Sequence, residues 1–552
     1  MLVEMKNLSS AWAPVLLSLG VIAHVPVAWA QSATQDAGSG PVFDVMEYVV
    51  EGNSALSDGV VSQILTPYLG PGRRFTDIEA AREALEKAYQ DAGFLSVVVS
   101  LPDQRVDTGE VRLEVTEARV EQVRVTGAKH HLPSRIRDGV PSLAAGQLPY
   151  FPAVQDELAE LQTPARQITP VIGASDQPDR IDVELKVEDK RPAQGSVELN
   201  SRQAYNTERG RLEAVASYSN LFQRGHSLGL SWQVAPTRPS DANVVSAVYD
   251  LPLGRADSLS LAVTNSASDT RAGTSVGGVT ITRGTFYSLR WRHELPAWQW
   301  PVSHSWSLGL DRKHNRDRSV TGSGFSTQKP ALKYPVLNLA YDVAWDHGGG
   351  DQSTVRTALA GSSRSWAGRE VDCDGRRLDQ FECKRAGANP DFLVWRFGMT
   401  HRRAVGGGWQ VDLSADAQLA SGPVASGEQF ALGGIDSVRG YYDYEQAGDQ
   451  GWSLRVEGAS PPLWQSGSWR LGSLVFVDRG SLMLKNALEG QRARVHMGSY
   501  GLGWRLSNGE GLNASLDVAM PFYETVRAAS SGGDERATRR EPRWELSVRQ
   551  AF

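Results

Sequence analysis

Two cysteines in 552 residues are too few for a disulfide-rich scaffold or a four-cysteine zinc or iron–sulfur site. Tryptophan is missing from 31–190: two of the 16 lie before residue 31 and the other 14 after residue 190. Neither charge sign dominates, with 57 basic against 63 acidic side chains and a formal net charge of −6, which excludes a chain built to coat nucleic acid. Hydrophobic residues make up 41%, which excludes a disordered polymer. No stretch after the first thirty residues approaches the roughly 18–20 consecutive apolar residues of a spanning helix. That absence excludes a helical membrane protein but not a membrane barrel, whose apolar band is hidden in alternate positions.

What is present divides the chain into parts. Lys6 precedes an apolar run over 11–23, and Ala28-Trp29-Ala30 supplies an A-x-A site. These are the parts of a secretory signal spanning 1–30, cleaved after Ala30. A membrane anchor is the competing reading, but Pro14, Ser18, Gly20, His24 and Pro26 interrupt the run. The mature chain would start at Gln31 in an oxidising, nucleotide-free compartment, with a short segment over 31–41. Net charge is −10 over 42–190, −1 over 31–41 and +5 over 191–552, which with a neutral 1–30 gives the total of −6. The acidic front argues against nucleic acid as a partner.

Within 42–190 one order of elements occurs twice, at 42–118 and 119–190. In the first, a strand over 42–51 runs into Gly52-Asn53, and a helix extends from Asp58 to about Leu69. Thr76 as N-cap with Glu79 three residues on predicts a capping box. The helix it opens carries Ile78, Leu85, Ala88 and Tyr89 on one face and ends at Gly93, followed by strands over 95–101 and 110–116. The second repeats the order, with a strand from Val120 to Thr126, helical stretches near 133–139 and 152–162, and strands over 166–172 and 180–187. His130-His131 has no third ligand at metal spacing and is read as a solvated turn. Each unit leaves a sheet edge open, which suits docking of an extended peptide; a plain spacer is the alternative.

From Gly195 the hydrophobic period becomes two. Sixteen alternating segments, the first centred on Val197 and the last on Leu546, occupy 191–552. From the second segment on, every other link is short (220–225, 252–257, 296–301, 347–351, 404–408, 460–466, 507–511), and the links between them are mostly longer. Short turns on one side, long loops on the other and an even strand count predict a 16-stranded antiparallel transmembrane β-barrel. The last segment places Trp544, Leu546, Val548 and the terminal Phe552 on one face, as expected of a barrel-insertion signal. Gly273-Thr-Ser-Val-Gly277 satisfies G-x-S-x-G but lies in a polar loop, not in the strand-to-helix turn of a nucleophile elbow. Cys373 and Cys383, among Asp372, Asp374, Asp379 and Glu382, are read as a structural disulfide, with a weak cation site as the alternative.

These residues together resemble a family. Gly52-Asn53, Pro67-Tyr68-Leu69-Gly70, Tyr89-Gln90-Asp91-Ala92-Gly93-Phe94 and Leu101-Pro102-Asp103-Gln104-Arg105-Val106 look like the polypeptide-transport-associated (POTRA) domain of two-partner secretion transporters, the haemolysin-activator and filamentous-haemagglutinin-transporter type. Gly195 to Asn200 and Tyr218 to Phe222 are similar to the start of the family's barrel. Val438-Arg439-Gly440-Tyr441, in a long loop over about 420–450, is similar to its V-R-G-Y motif. Phe476-Val477-Asp478-Arg479-Gly480, in the thirteenth strand, is similar to its F-x-D-x-G motif.

The resemblance implies two POTRA domains in the periplasm ahead of a barrel in the outer membrane, with the loop held inside the channel. Arg439 offers a planar fork of donors and Asp478 a carboxylate on a rigid strand, so contact between them is expected. The implied partners are a secreted exoprotein carrying an N-terminal secretion domain, the barrel-assembly machinery during insertion, and outer-membrane lipid. No cofactor or metal is implied, and no enzymatic activity. An outer-membrane assembly factor and a barrel-borne adhesin or enzyme are the competing readings. The family's N-terminal plug helix has no room in 31–41, where eleven helical residues would reach about 17 Å, so closure of the pore is expected to fall to the loop.

Overall fold

The computed structural model describes residues 42–552, apart from positions 107, 164, 178 and 282 and the segments 269–271, 274–279, 298–300, 317–318, 321–325, 328–329, 488–491 and 529–533. The expected signal, the 31–41 segment with its missing plug and most of the G-x-S-x-G stretch lie outside the described residues. The chain forms two compact units, one ending at Pro192 and one running from Ala193 to Phe552.

The front unit contains two small sheets of the same topology. In the first, β1 (Val42–Val45), β2 (Glu47–Glu51), α1 (Asp58–Leu65), β3 (Gly70–Arg74), α2 (Phe75–Asp91), β4 (Val97–Ser100) and β5 (Glu110–Glu117) follow in order. The sheet order is β2-β5-β4, with β2 parallel and β4 antiparallel to β5. In the second, β6 (Arg119–Thr126), α3 (Pro133–Asp138), α4 (Phe151–Leu161), β7 (Arg166–Ala174) and β8 (Arg180–Asp189) give the order β6-β8-β7 with the same senses. Helices cover one face of each sheet. Leu65, Ala81, Leu85 and Tyr89 pack on Val97, Val99, Leu113 and Val115 in the first, and Ile136, Val154 and Leu158 on Val120, Val183, Leu185 and Val187 in the second. The two join where Tyr150 meets Phe94 with ring centroids 5.5 Å apart and Phe151 N–H donates to the Gly93 carbonyl.

The repeat extends to individual atoms. Gly52 and Gly127 both have positive φ, and a Cβ on either would lie 2.2–2.3 Å from a carbonyl oxygen of the central strand, Val115 or Val187. Two residues beyond each carbonyl a carboxylate caps the turn. Glu117 accepts from Ser54 and Ala55 N–H, and Asp189 from Lys129, His130 and His131 N–H.

Four details depart from the sequence reading. The strand over 42–51 breaks at Met46, because its first half pairs with β3, which had no apolar pattern to reveal it. The first helix ends at Leu65, and a 3-10 turn over Thr66–Tyr68 follows because Pro67 breaks the α pattern. The second helix starts at Phe75, so the cap is Arg74 N–H donating to Asp77, while Glu79 pairs with Arg82. His131 is not solvated: its side chain is 8% exposed, and Nδ1 lies 3.1 Å from Asp189.

The second unit is a closed antiparallel barrel of sixteen strands, β9–β24. They are β9 (Ala193–Asn200), β10 (Arg211–Leu221), β11 (His226–Val234), β12 (Asn243–Pro252), β13 (Asp257–Ser266), β14 (Gly284–Glu294), β15 (Val302–Asn315) and β16 (Leu332–Gly348), then β17 (Asp351–Ser362), β18 (Phe392–Val405), β19 (Trp409–Ala420), β20 (Gln450–Ala459), β21 (Trp469–Met483), β22 (Arg494–Ser507), β23 (Leu512–Pro521) and β24 (Arg543–Ala551). Alternation sorts the side chains. On β15, Leu308 and Leu310 face out while Gly309, Asp311 and Lys313 are buried inside; on β21, Val475 and Val477 face out while Phe476 and Asp478 are buried. An apolar outer wall around a polar interior is the arrangement lipid demands. No described helix is long and apolar enough to cross a membrane.

Burial alone would raise the pKa of Asp189, but the amides of His130 and Lys129 and the His131 ring outweigh it and hold the carboxyl at about 2. Its contribution to folding is therefore present above pH 3.8 and is lost as pH falls toward 2. Burial also holds the His131 ring below its ordinary pKa despite the bond to Asp189, so stability falls as pH drops below about 6.5. Asp189→Ala is expected to weaken this sheet by about 2 kcal/mol at neutral pH, with the difference from wild type fading below pH 4. Amide exchange at residues 129–131 of the full-length protein checks this; an unchanged protection pattern would count against the capping role.

Candidate functional site

The segment between β19 and β20, residues 421–449, folds into the barrel as an inward loop. Ordering about thirty residues costs on the order of 30 kcal/mol or more of backbone entropy, so no single contact can hold it. The loop is attached at several places.

The strongest attachment is made by the two sequence motifs. Arg439 is 1% exposed and Asp478 fully buried, and they form a bidentate pair with Nε–Oδ2 and Nη2–Oδ1 both 2.7 Å. Arg439 N–H also donates to Asp478 at 3.1 Å, so one carboxylate fixes both the side chain and the backbone of the loop. Arg439 Nη1 lies 2.8 Å from Glu457 on β20, and Arg455 Nη2 donates to Glu457 at 3.0 Å. Two cations and two anions thus neutralise one another, which offsets the cost of burying them. The Arg439 guanidinium also stacks 3.4 Å from the centroid of the Phe476 ring.

The neighbouring motif residues shape this contact. Val438 and Tyr441 are fully buried with Leu432, Leu482 and Met497. The Tyr441 hydroxyl lies 3.0 Å from the carbonyls of both Gly498 and Tyr523. Gly440 has φ +85°, and a Cβ there would sit 3.1 Å from Ala519 and from Pro521, so the loop passes the wall too closely for a side chain. A Cβ on Gly480 would lie 2.7 Å from Leu432, so the wall is bare where the loop rests on it.

Other attachments had no motif to announce them. Glu428, 1% exposed, meets Lys313 at 2.6 Å, the Tyr334 hydroxyl at 2.7 Å and Arg396 at 3.0 Å, on β15, β16 and β18. Asp443 and Asp436 bind Arg202, just beyond β9, and Glu445 accepts from Thr525 and Thr538. At the stem, buried Asp449 takes both guanidinium nitrogens of Arg385 and the N–H groups of Val424 and Lys485. The partners in each of these contacts are far apart in the sequence, and only closure of the barrel brings them together.

Arg385 follows a helix, Gln380–Lys384, in the segment that joins β17 to β18, where Cys373 and Cys383 are bonded as a disulfide. That segment is less of a charged exterior loop than its sequence suggests. Phe381 is fully buried beside Tyr334, and Gln380 bonds both backbone groups of Lys333. Its acids serve the turns: Asp372 accepts from Gly375 N–H, Asp379 caps the helix through Phe381 N–H, and Glu382 accepts from Gly387 N–H.

Trp544 is 48% exposed on the outer wall with the Arg209 guanidinium 3.5 Å from its ring, and Phe552 exchanges backbone hydrogen bonds with Gly195 at 2.9 and 3.0 Å. The chain end therefore lies on the seam where β24 pairs with β9.

Breaking a buried ion pair leaves one charge uncompensated, at a cost of about 3–5 kcal/mol. Arg439→Ala and Asp478→Ala should therefore cause similar losses of exoprotein secretion, and the double variant should be little worse than either single one. Additive defects in a secretion assay would show that the two residues act separately.

The comparisons with known proteins agree with this geometry. Residues 43–118 match the POTRA domain, ShlB-type, and residues 179–506, more than half of the chain, match the haemolysin secretion/activation protein ShlB/FhaC/HecB family. The chain is 25% identical over 499 residues to outer membrane transporter CdiB of Escherichia coli O6:K15:H31 (strain 536 / UPEC), covering 84% of this chain and 75% of that one. It is 20% identical over 513 residues to heme/hemopexin transporter protein HuxB of Haemophilus influenzae, covering 85% and 81%. Two solved structures share its fold. CdiB from Escherichia coli has a TM-score of 0.56 at 19% identity over 95% of this chain and 93% of that one. BamA from Haemophilus ducreyi lacking POTRA domains 1–3 has a TM-score of 0.50 at 14% identity over 93% and 100%. With its POTRA match, its sixteen-stranded barrel and the family match across most of that barrel, the chain belongs to the haemolysin secretion/activation protein ShlB/FhaC/HecB family of two-partner secretion transporters in the outer membrane.

Proposed function

We propose that this transporter binds an unfolded exoprotein through its periplasmic sheets and passes it outward through the barrel, with the 421–449 loop as the element that closes the lumen. The observation that carries the proposal is the inward loop itself, tied by Arg439–Asp478 to one part of the wall and by Glu428 to β15, β16 and β18. A segment fastened to well-separated strands of a closed barrel crosses its interior. Transport must therefore release or displace it. The likeness to BamA concerns the fold, whereas the family match favours transport over assembly of other barrels. No nucleotide is needed if folding of the cargo outside supplies the direction.

The second sheet of the front unit is proposed to be a second POTRA domain, supported by its shared strand order and by the equivalent Gly52/Gly127 and Glu117/Asp189 contacts. We propose β7 as the strand to which cargo adds. It has nine residues, against four in β4, and Val171 and Ile172 are exposed. The outer edge of β6 is already bonded at Val120 by Gly146 and Gln147. The Ala165 carbonyl faces β8, where it accepts from Lys190 N–H, so by alternation Ile168, Pro170 and Ile172 present their backbone groups outward. The Ile168 carbonyl is taken by the Gln162 side chain, and Pro170 has no N–H. Of the outward N–H groups that remain, that of Ile172 belongs to a residue whose side chain is exposed, whereas Ile168 is buried. The barrel-assembly machinery is the proposed reader of the Trp544–Phe552 end, and outer-membrane lipid the proposed solvent of the outer wall.

Ile172→Pro removes that donor while leaving the β8 pairing in place. It is expected to lower secretion at least about ten-fold with the heat-modifiable barrel intact; wild-type secretion would exclude strand addition at β7. Deleting residues 433–448 should clearly raise single-channel conductance in planar bilayers. Arg385→Ala, which frees only the stem, should raise it less. Unchanged conductance in the deletion would remove the loop from the closing role.

A further inference from the structure

The outer wall carries a group of basic side chains that have no ion pair among the described residues. On β15, Arg312 and His314 continue the outward row of Leu308 and Leu310, and on β16 Lys333 continues the row of Leu337 and Leu339. His314 and Lys333 are direct cross-strand partners, and Arg316 follows one residue beyond the end of β15. Arg312, Arg316 and Lys333 are exposed, and all three charges bear on the His314 ring.

The outward positions of β14, β15 and β16 hold no Asp or Glu at this end. Among the described residues no ion pair involves any of the four. Some exposed arginines of this barrel do have an acid beside them, as Arg356 has Asp342, Arg402 has Asp412 and Arg364 has Asp391. Three positive charges gathered around one ring, with no acid beside them among the described residues, repel one another, so the cluster calls for an anion from outside the chain.

Its position says which anion. Arg312 is two residues, about 7 Å, beyond the exposed Leu310. Opposite Arg312 on β14 stands Tyr287, 50% exposed, a residue type that marks the membrane–water boundary. The cluster lies at the end of the strands that bears the long loops, away from the short turns, and so at the headgroup level of the external leaflet. A cluster of arginine and lysine at that level binds phosphate by charge-assisted hydrogen bonds.

We propose that Arg312, His314, Arg316 and Lys333 form a binding surface for the phosphate groups of the phosphorylated glycolipid in the external leaflet of the outer membrane. The spread of cations over two strands suits a headgroup with two phosphates better than one with a single phosphate.

The test uses full-length protein extracted in mild detergent, with native mass spectrometry during titration by lipid A, monophosphoryl lipid A and phosphatidylglycerol. Wild type is expected to hold lipid A at least about ten-fold more tightly than Arg312→Glu/Lys333→Glu. Monophosphoryl lipid A should show a smaller difference and phosphatidylglycerol almost none. Equal lipid A binding by wild type and variant overturns the proposal. Equal discrimination with phosphatidylglycerol also overturns it, because the surface would then recognise any lipid phosphate. Heat-modifiability verifies that the variant is folded; if charge reversal blocks insertion, Arg312→Gln/Lys333→Gln carries the same comparison. Secretion is not the readout, so failure here leaves the transport reading standing.

Discussion

Inside a bilayer no water is available to a backbone amide, and each unpaired group costs several kcal/mol. A sheet placed there has to close, and the rest of this barrel follows from that closure. The last strand must meet the first, so Ser547–Ala551 pairs with Ser196–Asn200 and the terminal Phe552 bonds Gly195. Once the sheet is closed, alternate residues are committed to lipid or lumen, and a one-residue slip would exchange the two faces. Val475 and Val477 outside require Phe476 and Asp478 inside.

Closure creates a polar cavity, and the chain fills it with its own loop. The loop carries five acids, Glu428, Asp436, Asp443, Glu445 and Asp449, against a single base, Arg439. Four of those acids meet cations of the surrounding barrel, at Lys313, Arg396, Arg202 and Arg385, whereas Arg439 meets Asp478. Charge complementarity thus draws the segment in, and the one reversed pair sets its register, since Arg439 fits only beside an acid. A loop held by many moderate contacts can be released stepwise, as the proposed closing role requires.

The front unit shows the same logic at smaller scale. A glycine lets the chain pass over a strand carbonyl, and a carboxylate two residues further along that strand gathers the amides of the turn. The same pair of devices, Gly52 with Glu117 and Gly127 with Asp189, builds both sheets.

Periodicity made the barrel legible: outward Leu and Val recur every second residue, and the short and long links alternate. The V-R-G-Y and F-x-D-x-G stretches were legible as motifs because each concentrates unusual residues within four or five positions. The strand Gly70–Arg74 was hidden, since a Gly-Pro-Gly-Arg-Arg stretch carries no apolar pattern, and Pro67 ended the first helix earlier than its face suggested. His131 read as solvated because its partner Asp189 is 58 residues away. The sequence by itself determined the number of strands, the face each residue presents and the two motifs, all of which depend on neighbours along the chain. Only the tertiary structure decided that Glu428 meets Lys313 and Asp449 meets Arg385, and that Arg312, His314 and Lys333 gather with no acid beside them among the described residues. Those pairings depend on which strands stand side by side once the barrel closes, and no local spacing encodes them.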